Sequence, residues 1–480
     1  MTANIKFGTD GWRAIIAEDY TFDNVRLCAQ AMATHLRRAS GTDAKVVVGY
    51  DTRFASEDFA AATAEVLGAN GIHTYLSTSA VPTPVVSHAV ANLRASAGVV
   101  ITASHNPSRW NGFKIKGPDG SSAPMDVIAG VETEIASLLL QGSSGAVPTV
   151  QRCPVQELVE RGAVEWYDPT TPYMESIRRL VDVNALRAMP GTIVVDSMFG
   201  AGLGLFERLA GGGQLCIEEM NGERNPAFPG IRPEPIGPNL ERLRRRVPEA
   251  GALMGIALDG DADRVGIVDE HGSFLNQHQV FALLCYYLLE VRHERGHIIR
   301  SITTSEMISR LGERYGVPVH VTQVGFKYIA PLMLEYDALI GGEESGGYAF
   351  RGHVPERDGI LAGLYFLDMV RRTGKPPSAL LEELYGLVGR HCYDRVDLEL
   401  EPGDRCRVEE TLKGIAPDSV GGAPVGRVDR TDGVMLVLKD GSWVLYRLSG
   451  TEPLVRIYVE TDSPARVQQL LLAGRALLGL

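Results

Sequence analysis

Short apolar runs alternate with amphipathic stretches along the first part of the chain. Residues 22–40 carry apolar side chains at helical spacing, 45–51 is a β-branched run that ends in a turn, and 56–70 has a helical pattern again. Strands that alternate with helices are typical of βαβ units around a mostly parallel sheet. This part of the chain therefore predicts an α/β unit, and the polar segment 141–145 predicts an exposed loop near its end.

The same layout recurs twice further along the chain. Residues 191–196 open a second unit as 45–51 opens the first, and 297–304 can open a third. Each unit also has a later apolar run that ends in a polar loop. Because ligands bind at the carboxyl ends of strands in open α/β sheets, we expect three loops presented to one shared place. The three runs with their loops are 99–107, 253–264 and 338–347.

The last part of the chain has a different pattern. Four strand-like segments follow one another there, with an Asp440-Gly441 hairpin signal between the second and the third, and a closing helix spans 464–480. This pattern predicts a small α+β domain with more antiparallel sheet. The four segments are 396–401, 433–438, 442–447 and 455–460.

A chain of 480 residues is too long for one compact core and suits three or four domains of about 100–200 residues each. The expected fold class is α/β, with three similar units of mixed or parallel sheet followed by the C-terminal α+β domain. The expected domains are 1–150, 151–272, 273–388 and 389–480.

The composition, with 45% hydrophobic and 22% charged residues, is typical of a soluble globular protein. A net charge of −12 argues against general nucleic-acid binding, although a local cluster of Arg and Lys can still bind an anionic substrate. The six cysteines form no Cys-x-x-Cys pair, which favours a reducing compartment over a zinc site or a disulfide framework. Residues 1–10 lack signal-peptide features and the apolar stretch 281–289 is too short to span a membrane, so we expect a cytoplasmic protein without a membrane partner.

The apolar run 99–101 breaks abruptly into the small polar segment 102–107. This break predicts a buried strand that delivers a loop to the edge of the sheet, where Ser104 can be held as a nucleophile with His105 beside it and Lys114 further on. Serine and asparagine are also ordinary turn formers. On the local pattern alone, a plain loop is the simpler interpretation.

Three carboxylates at alternate positions, Asp259, Asp261 and Asp263, form the strongest chemical signal. They repel one another unless a cation compensates them, and oxygen ligands select Mg²⁺, Ca²⁺ or Mn²⁺ over Zn²⁺. An EF-hand loop would place Glu270 at its twelfth position, but Arg264 stands at the sixth, where that loop needs glycine. A solvated acidic turn is the other alternative, and the apolar run that precedes the loop argues against it.

Two glycine-containing segments offer ligand contacts. Residues 341–347 let the backbone approach a ligand, and Glu343 and Ser345 offer an acceptor and a hydroxyl that suit sugar hydroxyls. By itself this segment is a glycine-rich turn. Residues 8–13 at the amino terminus are a plain turn or a further anion contact.

Residues 447–451, followed by Arg456, combine fixed positive charge, two hydroxyls and a glycine. These are the parts of a phosphate cradle, in which arginine supplies two donors and the loop supplies N–H groups. The segment is not a Walker loop, because no Gly-x-x-x-x-Gly-Lys precedes it. An arginine on a strand beside a surface turn is the simpler alternative.

Four motifs occur in an order that resembles the α-D-phosphohexomutase superfamily: 102–107, 259–264, 342–347 and 447–451. The opening segment 7–13 resembles that superfamily's amino terminus as well, so the resemblance covers essentially the whole chain. It implies four domains around a central cleft, each of which contributes one loop. It also implies a phosphoserine enzyme that moves phosphate between C1 and C6 of a hexose, a small-molecule hexose phosphate being the partner.

The resemblance further implies Mg²⁺ as cofactor and glucose 1,6-bisphosphate as intermediate and activator. Ser104 would carry the phosphoryl group and lend an oxygen to the metal, and Lys114 would transfer the proton. The implied metal ligands are Ser104, Asp259, Asp261 and Asp263. The implied catalytic residues are Ser104, Lys114, His105 and Arg264. The implied substrate contacts are Arg13, Lys327, Glu343, Ser345, His353, Arg357, Arg447, Ser449, Gly450, Thr451 and Arg456.

The choice of sugar is less constrained. The segments 343–345, 353–359 and 324–327 resemble the phosphoglucomutase branch, whereas 452–453 resembles the phosphoglucosamine branch. Glucose phosphate is therefore the expected substrate, with mannose and glucosamine phosphates as alternatives. A serine-nucleophile phosphatase would not need the second phosphate grip at 447–451, and a non-catalytic sugar-phosphate-binding protein would not need Ser104 or the aspartates. The sequence predicts no oligomeric state.

Overall fold

The computed structural model describes residues 5–8, 10–143, 149–401, 403–449 and 453–480. Four sheets follow one another along this part of the chain. The predicted contacts Gly450 and Thr451 lie outside the described residues. Within these residues no helix is both long enough and apolar enough to span a lipid bilayer.

The first unit is a six-stranded sheet in the order β1-β5-β4-β2-β3-β6. Its first long helix begins after Thr21, whose side chain accepts a hydrogen bond from the Asn24 amide. The strands are β1 (Trp12–Ile15), β2 (Lys45–Tyr50), β3 (His73–Ser77), β4 (Ala97–Ile101), β5 (Trp110–Lys116) and β6 (Val164–Tyr167). The helices are α1 (Phe22–Ser40), α2 (Ser56–Ala69), α3 (Thr83–Asn92), α4 (Met125–Ser143) and α5 (Val155–Glu160).

The second unit has a five-stranded sheet in the order β11-β10-β9-β7-β8. Its strands are β7 (Gly191–Asp196), β8 (Leu215–Met220), β9 (Met254–Leu258), β10 (Val265–Val268) and β11 (Phe274–Leu275). Its helices are α6 (Thr170–Leu180), α7 (Val183–Arg187), α8 (Leu205–Ala210) and α9 (Glu241–Glu249).

The third unit has a four-stranded sheet in the order β13-β12-β14-β15. Its strands are β12 (Ile298–Ser301), β13 (Val319–Thr322), β14 (Ile340–Gly342) and β15 (Tyr348–Phe350). Its helices are α10 (Gln277–Tyr286), α11 (Met307–Tyr315), α12 (Phe326–Glu335), α13 (Gly359–Thr373) and α14 (Pro377–Val388).

The fourth unit is an antiparallel sheet in the order β16-β21-β20-β19-β18-β17 with two helices. Its strands are β16 (Cys392–Glu399), β17 (Ser419–Val420), β18 (Ala423–Asp429), β19 (Val434–Leu438), β20 (Trp443–Leu448) and β21 (Leu454–Thr461). Its helices are α15 (Asp404–Gly414) and α16 (Pro464–Leu477). The predicted fold class, three α/β units followed by an α+β domain, is confirmed.

The three loops predicted to meet occupy the same place in the three α/β sheets. The strands β4, β9 and β14 each lie parallel to one neighbour and antiparallel to the strand that follows them in the chain. The loop between the paired strands therefore leaves the sheet at the carboxyl end of a buried parallel strand. These loops span 102–109, 259–264 and 343–347.

Apolar packing joins the three α/β units into one body. Val86 of α3, Phe206 of α8, Ile256 of β9 and Leu361 of α13 are all buried in the same core cluster. The fourth unit has a core of its own, and a smaller buried cluster of Ile302 with Trp443 and Tyr458 joins it to the third unit. Burial of apolar surface thus fixes the three α/β loops relative to one another and also holds the fourth unit against the third.

The structure departs from the sequence-based expectation at two places in the first unit. Strand β6 pairs in parallel with β3, with Val164 opposite Thr74, so the first sheet extends past residue 150. An edge strand can be supplied by any later segment that reaches it, and local pattern does not encode this choice. Residues 141–143 of the predicted loop 141–145 continue α4, and residues 144–145 lie outside the described residues. The remaining predicted domain boundaries stay predictions.

Candidate active site

The loop 102–109, called the serine loop, places the Ser104 hydroxyl against the loop 259–264 of the second unit, called the acidic or metal loop. The Ser104 amide donates to Thr102 Oγ1 at 2.8 Å, and Ser104 has a left-handed backbone with φ of 51°. Its Oγ donates to Asp259 Oδ2 at 2.8 Å, and the side chain is buried. Left-handed backbone is uncommon outside glycine and is often found at functional sites. The structure thus joins the two motifs that the sequence singled out separately.

The acidic loop between β9 and β10 brings three fully buried carboxylates together. Asp259, Asp261 and Asp263 each offer one oxygen, and these oxygens lie within 4.8 Å of one another. Asp261 Oδ1 and Asp263 Oδ1 are buried and accept no hydrogen bond from the described part of the chain. Buried carboxylate oxygens without a partner are costly unless a cation or water occupies the space between them. The donor set therefore fits a hard divalent cation.

The pKa values of two carboxyls in this cluster are shifted in opposite directions. Burial, followed by the charges of Asp263 and Asp261, raises the pKa of Asp259 well above its ordinary value. Burial acts in the same direction on Asp261, but Lys114 and Thr83 outweigh it and lower the pKa of that carboxyl. Thr83 Oγ1 donates to Asp261 Oδ2 at 2.6 Å.

Lys114 lies at the centre of a buried ionic cluster. Its Nζ is 2.8 Å from Asp261 Oδ2, 2.8 Å from Asp10 Oδ2 and 3.4 Å from Asp263 Oδ2. Burial alone would lower the pKa of Lys114, but the three carboxylates outweigh it and raise that pKa above its ordinary value. Lys114 is therefore an ammonium group that donates hydrogen bonds to these carboxylates.

Asp10 is the residue at this site that the sequence reasoning missed. Its Oδ2 lies 2.8 Å from both Lys114 Nζ and Arg357 Nη2, so it links the first and third units. Burial would raise the pKa of Asp10, but Lys114 and Arg357 lower it well below its ordinary value. The segment 8–13 predicts a plain turn or an anion contact, and nothing in it indicates that Asp10 pairs with Lys114 and Arg357.

We expect Asp10→Asn to lower the free energy of unfolding by about 2 kcal/mol, because it removes the charge that Lys114 and Arg357 share. The lowered pKa of Asp10 means that its contribution is present above the unfolded value of about 3.9 and is lost as pH falls through the folded value. The difference from wild type, measured by chemical denaturation, is therefore constant at pH 6–8 and shrinks in acid.

Asp23→Asn is the matched control, since the Asp23 side chain is 93% exposed and pairs only with Arg26 at the surface among the described contacts. Its expected effect is below about 0.5 kcal/mol. An Asp10 variant as stable as this control at neutral pH would contradict the assigned charge sharing.

His105 lies in the serine loop beside Ser104, and Arg264 lies at the end of the acidic loop 259–264. His105 Nδ1 is 3.4 Å from Ser104 Oγ, and the Arg264 amide donates to Asp259 Oδ1 at 3.1 Å. Burial, followed by Arg264, Arg13 and further arginine charge, lowers the pKa of His105 well below its ordinary value. His105 is therefore neutral near pH 7. Arg13 donates to Asn106 Oδ1 at 2.9 Å and so lies at the same loop.

The loop 343–347, the predicted sugar loop, lies next to the same ionic cluster. Arg357 Nη2 is 2.8 Å from Asp263 Oδ2, and its Nη1 is 3.5 Å from Glu343 Oε2. Burial raises the pKa of Glu343 despite Arg357. Ser345 Oγ is buried and has no hydrogen-bond partner among the described residues. Glu343 thus offers a hydrogen-bond acceptor, and Ser345 offers a hydroxyl that makes no hydrogen bond to the described residues.

His353 contacts a different set of residues, and its predicted substrate contact stays a prediction. Its side chain is fully buried, with Nε2 2.9 Å from Asp358 Oδ2 and its ring stacked on His88. Tyr173 also donates to Asp358, at 2.8 Å, and Asp358 caps the start of α13. Arg357, four residues later, instead pairs with Asp10 and Asp263.

Lys327 lies between the first and third units. Its Nζ approaches Met125 Sδ at 3.2 Å and stands over the Tyr328 ring. No described contact joins it to the serine or metal loops, so its predicted substrate contact stays a prediction.

The fourth unit carries Arg447, Ser449 and Arg456 on the β20–β21 hairpin. Arg447 lies opposite Arg456 in the strand register, and its Nη2 is 2.9 Å from Asp432 Oδ2. Arg456 Nε is 3.4 Å from Asp397 Oδ2, and the Ser449 carbonyl accepts from Arg405. Two opposed arginines at a hairpin end are suited to an anion.

Comparison with known proteins places the whole chain in one family. Phosphoglucomutase/phosphomannomutase family models match alpha/beta/alpha domain I at residues 4–141, domain II at 171–272, domain III at 276–388 and the C-terminal domain at 405–473. The chain belongs to the phosphoglucomutase/phosphomannomutase family, within the α-D-phosphohexomutase superfamily. It is therefore a phosphohexomutase, an isomerase-class phosphotransferase.

Individual relatives differ in the sugar that their names specify. A "Phosphoglucomutase/phosphomannomutase" of Thermococcus kodakarensis is 32% identical over 472 residues, 98% of each chain. A "Probable phosphoglucosamine mutase" of Methanothermobacter thermautotrophicus is 34% identical and covers 96% of this chain and 95% of its own. A solved "putative phosphomannomutase" from Thermus thermophilus is 34% identical, with a TM-score of 0.84 over 100% of both chains.

Proposed function

We propose that this phosphohexomutase interconverts glucose 1-phosphate and glucose 6-phosphate through a phosphorylated Ser104 and glucose 1,6-bisphosphate. The observation that carries the proposal is the 2.8 Å hydrogen bond from Ser104 Oγ to Asp259, within a cluster of three buried carboxylates. A hydroxyl held there can carry a phosphoryl group whose charge a divalent cation offsets.

The metal that fits this site is Mg²⁺, with Asp259, Asp261, Asp263 and an oxygen on Ser104 as its ligands. Mg²⁺ supplies charge neutralisation and orientation for phosphoryl transfer when it is bound. Asp261 Oδ1 and Asp263 Oδ1, which accept no hydrogen bond from the described residues, support this assignment, although Arg264 Nε lies 3.7 Å from Asp263 Oδ1.

The chain's own residues hold and orient the reacting groups. Lys114, held as an ammonium group by Asp10 and Asp261, is proposed to pass a proton to the oxygen that leaves phosphorus and to recover one from the hydroxyl that attacks. His105, neutral and next to Ser104 Oγ, helps to orient the serine loop. Glu343 and Ser345 bind sugar hydroxyls, and catalysis then rests on position and charge rather than on a covalent step at a further residue.

The hairpin arginines support a mutase rather than a phosphatase. An enzyme that only releases phosphate to water needs one phosphate site, whereas a bisphosphate intermediate needs a second grip for the phosphate that is not transferred. Arg447 and Arg456, with Ser449, Gly450 and Thr451, are proposed to form it. Their unit has its own core and meets the third unit through the smaller cluster around Ile302 and Trp443, so we propose that it moves as one piece when the sugar is released and bound again.

Glucose phosphate is the proposed substrate because Glu343, Glu344 and Ser345 resemble the phosphoglucomutase form of the sugar loop and Arg357 supplies a cation beside them. Mannose and glucosamine phosphates are second candidates, favoured by the names of the relatives. The free cysteines Cys28, Cys153, Cys216, Cys285, Cys392 and Cys406 agree with a reducing, cytoplasmic location.

The test compares the three hexose 1-phosphates in parallel, each with Mg²⁺ and a trace of the matching bisphosphate. We expect kcat/KM for glucose 1-phosphate to exceed the other two by about tenfold or more. A preference for mannose or glucosamine phosphate would reassign the substrate. Steady release of inorganic phosphate without isomerisation would overturn the mutase assignment itself.

A further inference from the structure

The side chain of Arg53 binds main-chain carbonyl groups of the serine loop. The Arg53 side chain is completely buried, and its Nη2 donates to the carbonyl oxygens of Ser104 and Asn106, both at 2.6 Å. Its Nη1 donates to the carbonyls of Pro107 and Trp110 at 2.9 Å and 3.1 Å. One guanidinium group therefore ties four carbonyls of the loop between β4 and β5 together.

The guanidinium is itself fixed in place. Its Nε lies 3.2 Å from Asp51 Oδ2, and Asp51 Oδ1 accepts from the Arg53 amide and from Ser56 Oγ. The other face of the guanidinium stands over the Phe228 ring of the second unit, 5.0 Å from its centroid. Because Asp51, Phe228 and the loop carbonyls all contact the guanidinium, it is held in one position and resists movement of the loop.

The carbonyl that Arg53 binds at Ser104 is also enclosed by the metal loop. A Cβ at Gly260 would come within 2.4 Å of the Ser104 carbonyl oxygen, so this close approach requires glycine there. Ser104 has a left-handed backbone, a conformation that a serine keeps only where its surroundings enforce it. Arg53 and Gly260 together hold the carbonyl on the side that points Oγ toward Asp259.

We propose that Arg53 is a positioning residue for phosphoryl transfer: it fixes the strained backbone of Ser104 so that Oγ faces the metal loop. It acts through the loop, since its donors bind backbone carbonyls and Asp51 rather than groups that face the cleft. This inference rests on the proposed role of Ser104 as phosphoryl carrier. It predicts that Arg53 affects the rate of transfer more than the binding of sugar or metal.

A residue that only stabilised the fold would behave differently. Arg53→Lys keeps the charge near Asp51, but one ammonium cannot span four carbonyls in the directions that a guanidinium fork reaches. We expect kcat to fall by about 30-fold in this variant, with KM for the hexose 1-phosphate within about twofold of wild type. The rate at which glucose 1,6-bisphosphate phosphorylates Ser104, followed by intact mass, is expected to fall in parallel.

Arg53→Ala supplies a second readout. Low millimolar guanidinium, well below denaturing concentration, is expected to restore kcat about fivefold or more by occupying the space that the side chain leaves, and methylammonium is not. Arg224→Ala is the matched control. Arg224 pairs with Glu57 at 2.6 Å, donates to the carbonyl of Thr52 next to Arg53 and touches no carbonyl of the serine loop among the described contacts.

The wild-type enzyme, assayed with whichever hexose phosphate it isomerises, separates the two ideas. Wild type without mutase activity on any of them would contradict the proposed function. Active wild type together with an Arg53→Lys variant whose kcat is within twofold would overturn the positioning role. A loss of kcat in Arg53→Ala that guanidinium does not restore, accompanied by a lower Tm in proportion, would reduce Arg53 to a structural residue and also overturn it.

Discussion

Replacement of Ser104 by alanine is expected to lower kcat for interconversion of the hexose phosphates by about 10⁴-fold or more, because no other described hydroxyl donates to the aspartate cluster at the end of β9 except Thr83, which is bound to Asp261. The variant should fold, since alanine removes one oxygen and the amide of residue 104 still bonds to Thr102 Oγ1. Activity is measured by coupling glucose 6-phosphate formation to a dehydrogenase.

Intact mass gives an independent readout. Wild type treated with glucose 1,6-bisphosphate is expected to gain one phosphoryl group, and the Ser104→Ala variant is not. Ser108→Ala, in the same loop, is the control and should keep both activity and phosphorylation. A Ser104→Ala enzyme with more than a tenth of wild-type kcat, or one that still gains the phosphoryl group, would place the carrier on another residue.

Asp261→Asn is expected to raise the Mg²⁺ concentration for half-maximal activity by about 100-fold or more, because it removes a charge from the cluster while preserving the side chain's shape. Asp261 Oδ1 has no hydrogen-bond partner among the described residues and is placed to bind the cation. Its Oδ2 accepts from Lys114 at 2.8 Å, so the substitution also removes a counter-charge from Lys114.

Direct titration with Mn²⁺, followed by calorimetry in the absence of substrate, tests the ligand role without relying on turnover. Asp126→Asn, at an exposed position near the start of α4, is the control and should bind the metal as wild type does. Unchanged Mn²⁺ affinity in Asp261→Asn would exclude Asp261 as a ligand and leave it as the partner of Lys114 and Thr83 only.

The elements of this fold follow closely from local pattern. The helical spacing of 22–40 and the β-branched run 45–51 correspond to α1 and β2 within a residue. Periodicity is a property of one element, and burial of one face or of a whole strand is enough to express it. The first sheet extends past the domain boundary predicted at residue 150, because β6 joins it through a parallel pairing with β3. The residues of β6 do not by themselves specify this partner.

Some residues of the candidate site could be predicted from the sequence, and others are found only in the structure. Asp259 and Asp261 could be singled out because they stand in a polar loop directly after a buried strand, whereas Ser104 became a candidate through the order of the four motifs. Asp10 and Arg53 could not. Their partners lie far away in sequence, with Arg357 separated from Asp10 by 347 positions and Ser104 from Arg53 by 51.

The sequence by itself determined the succession of strands and helices, the loops that carry chemistry and, through the order of four motifs, the family of the enzyme. Tertiary structure alone decided which charges share a site. Lys114 is an ammonium group that pairs with Asp10, Asp261 and Asp263. His353 is buried and pairs with Asp358. Ionisation and hydrogen bonding depend on distance and burial, which are set by how the units pack and not by any single stretch of residues.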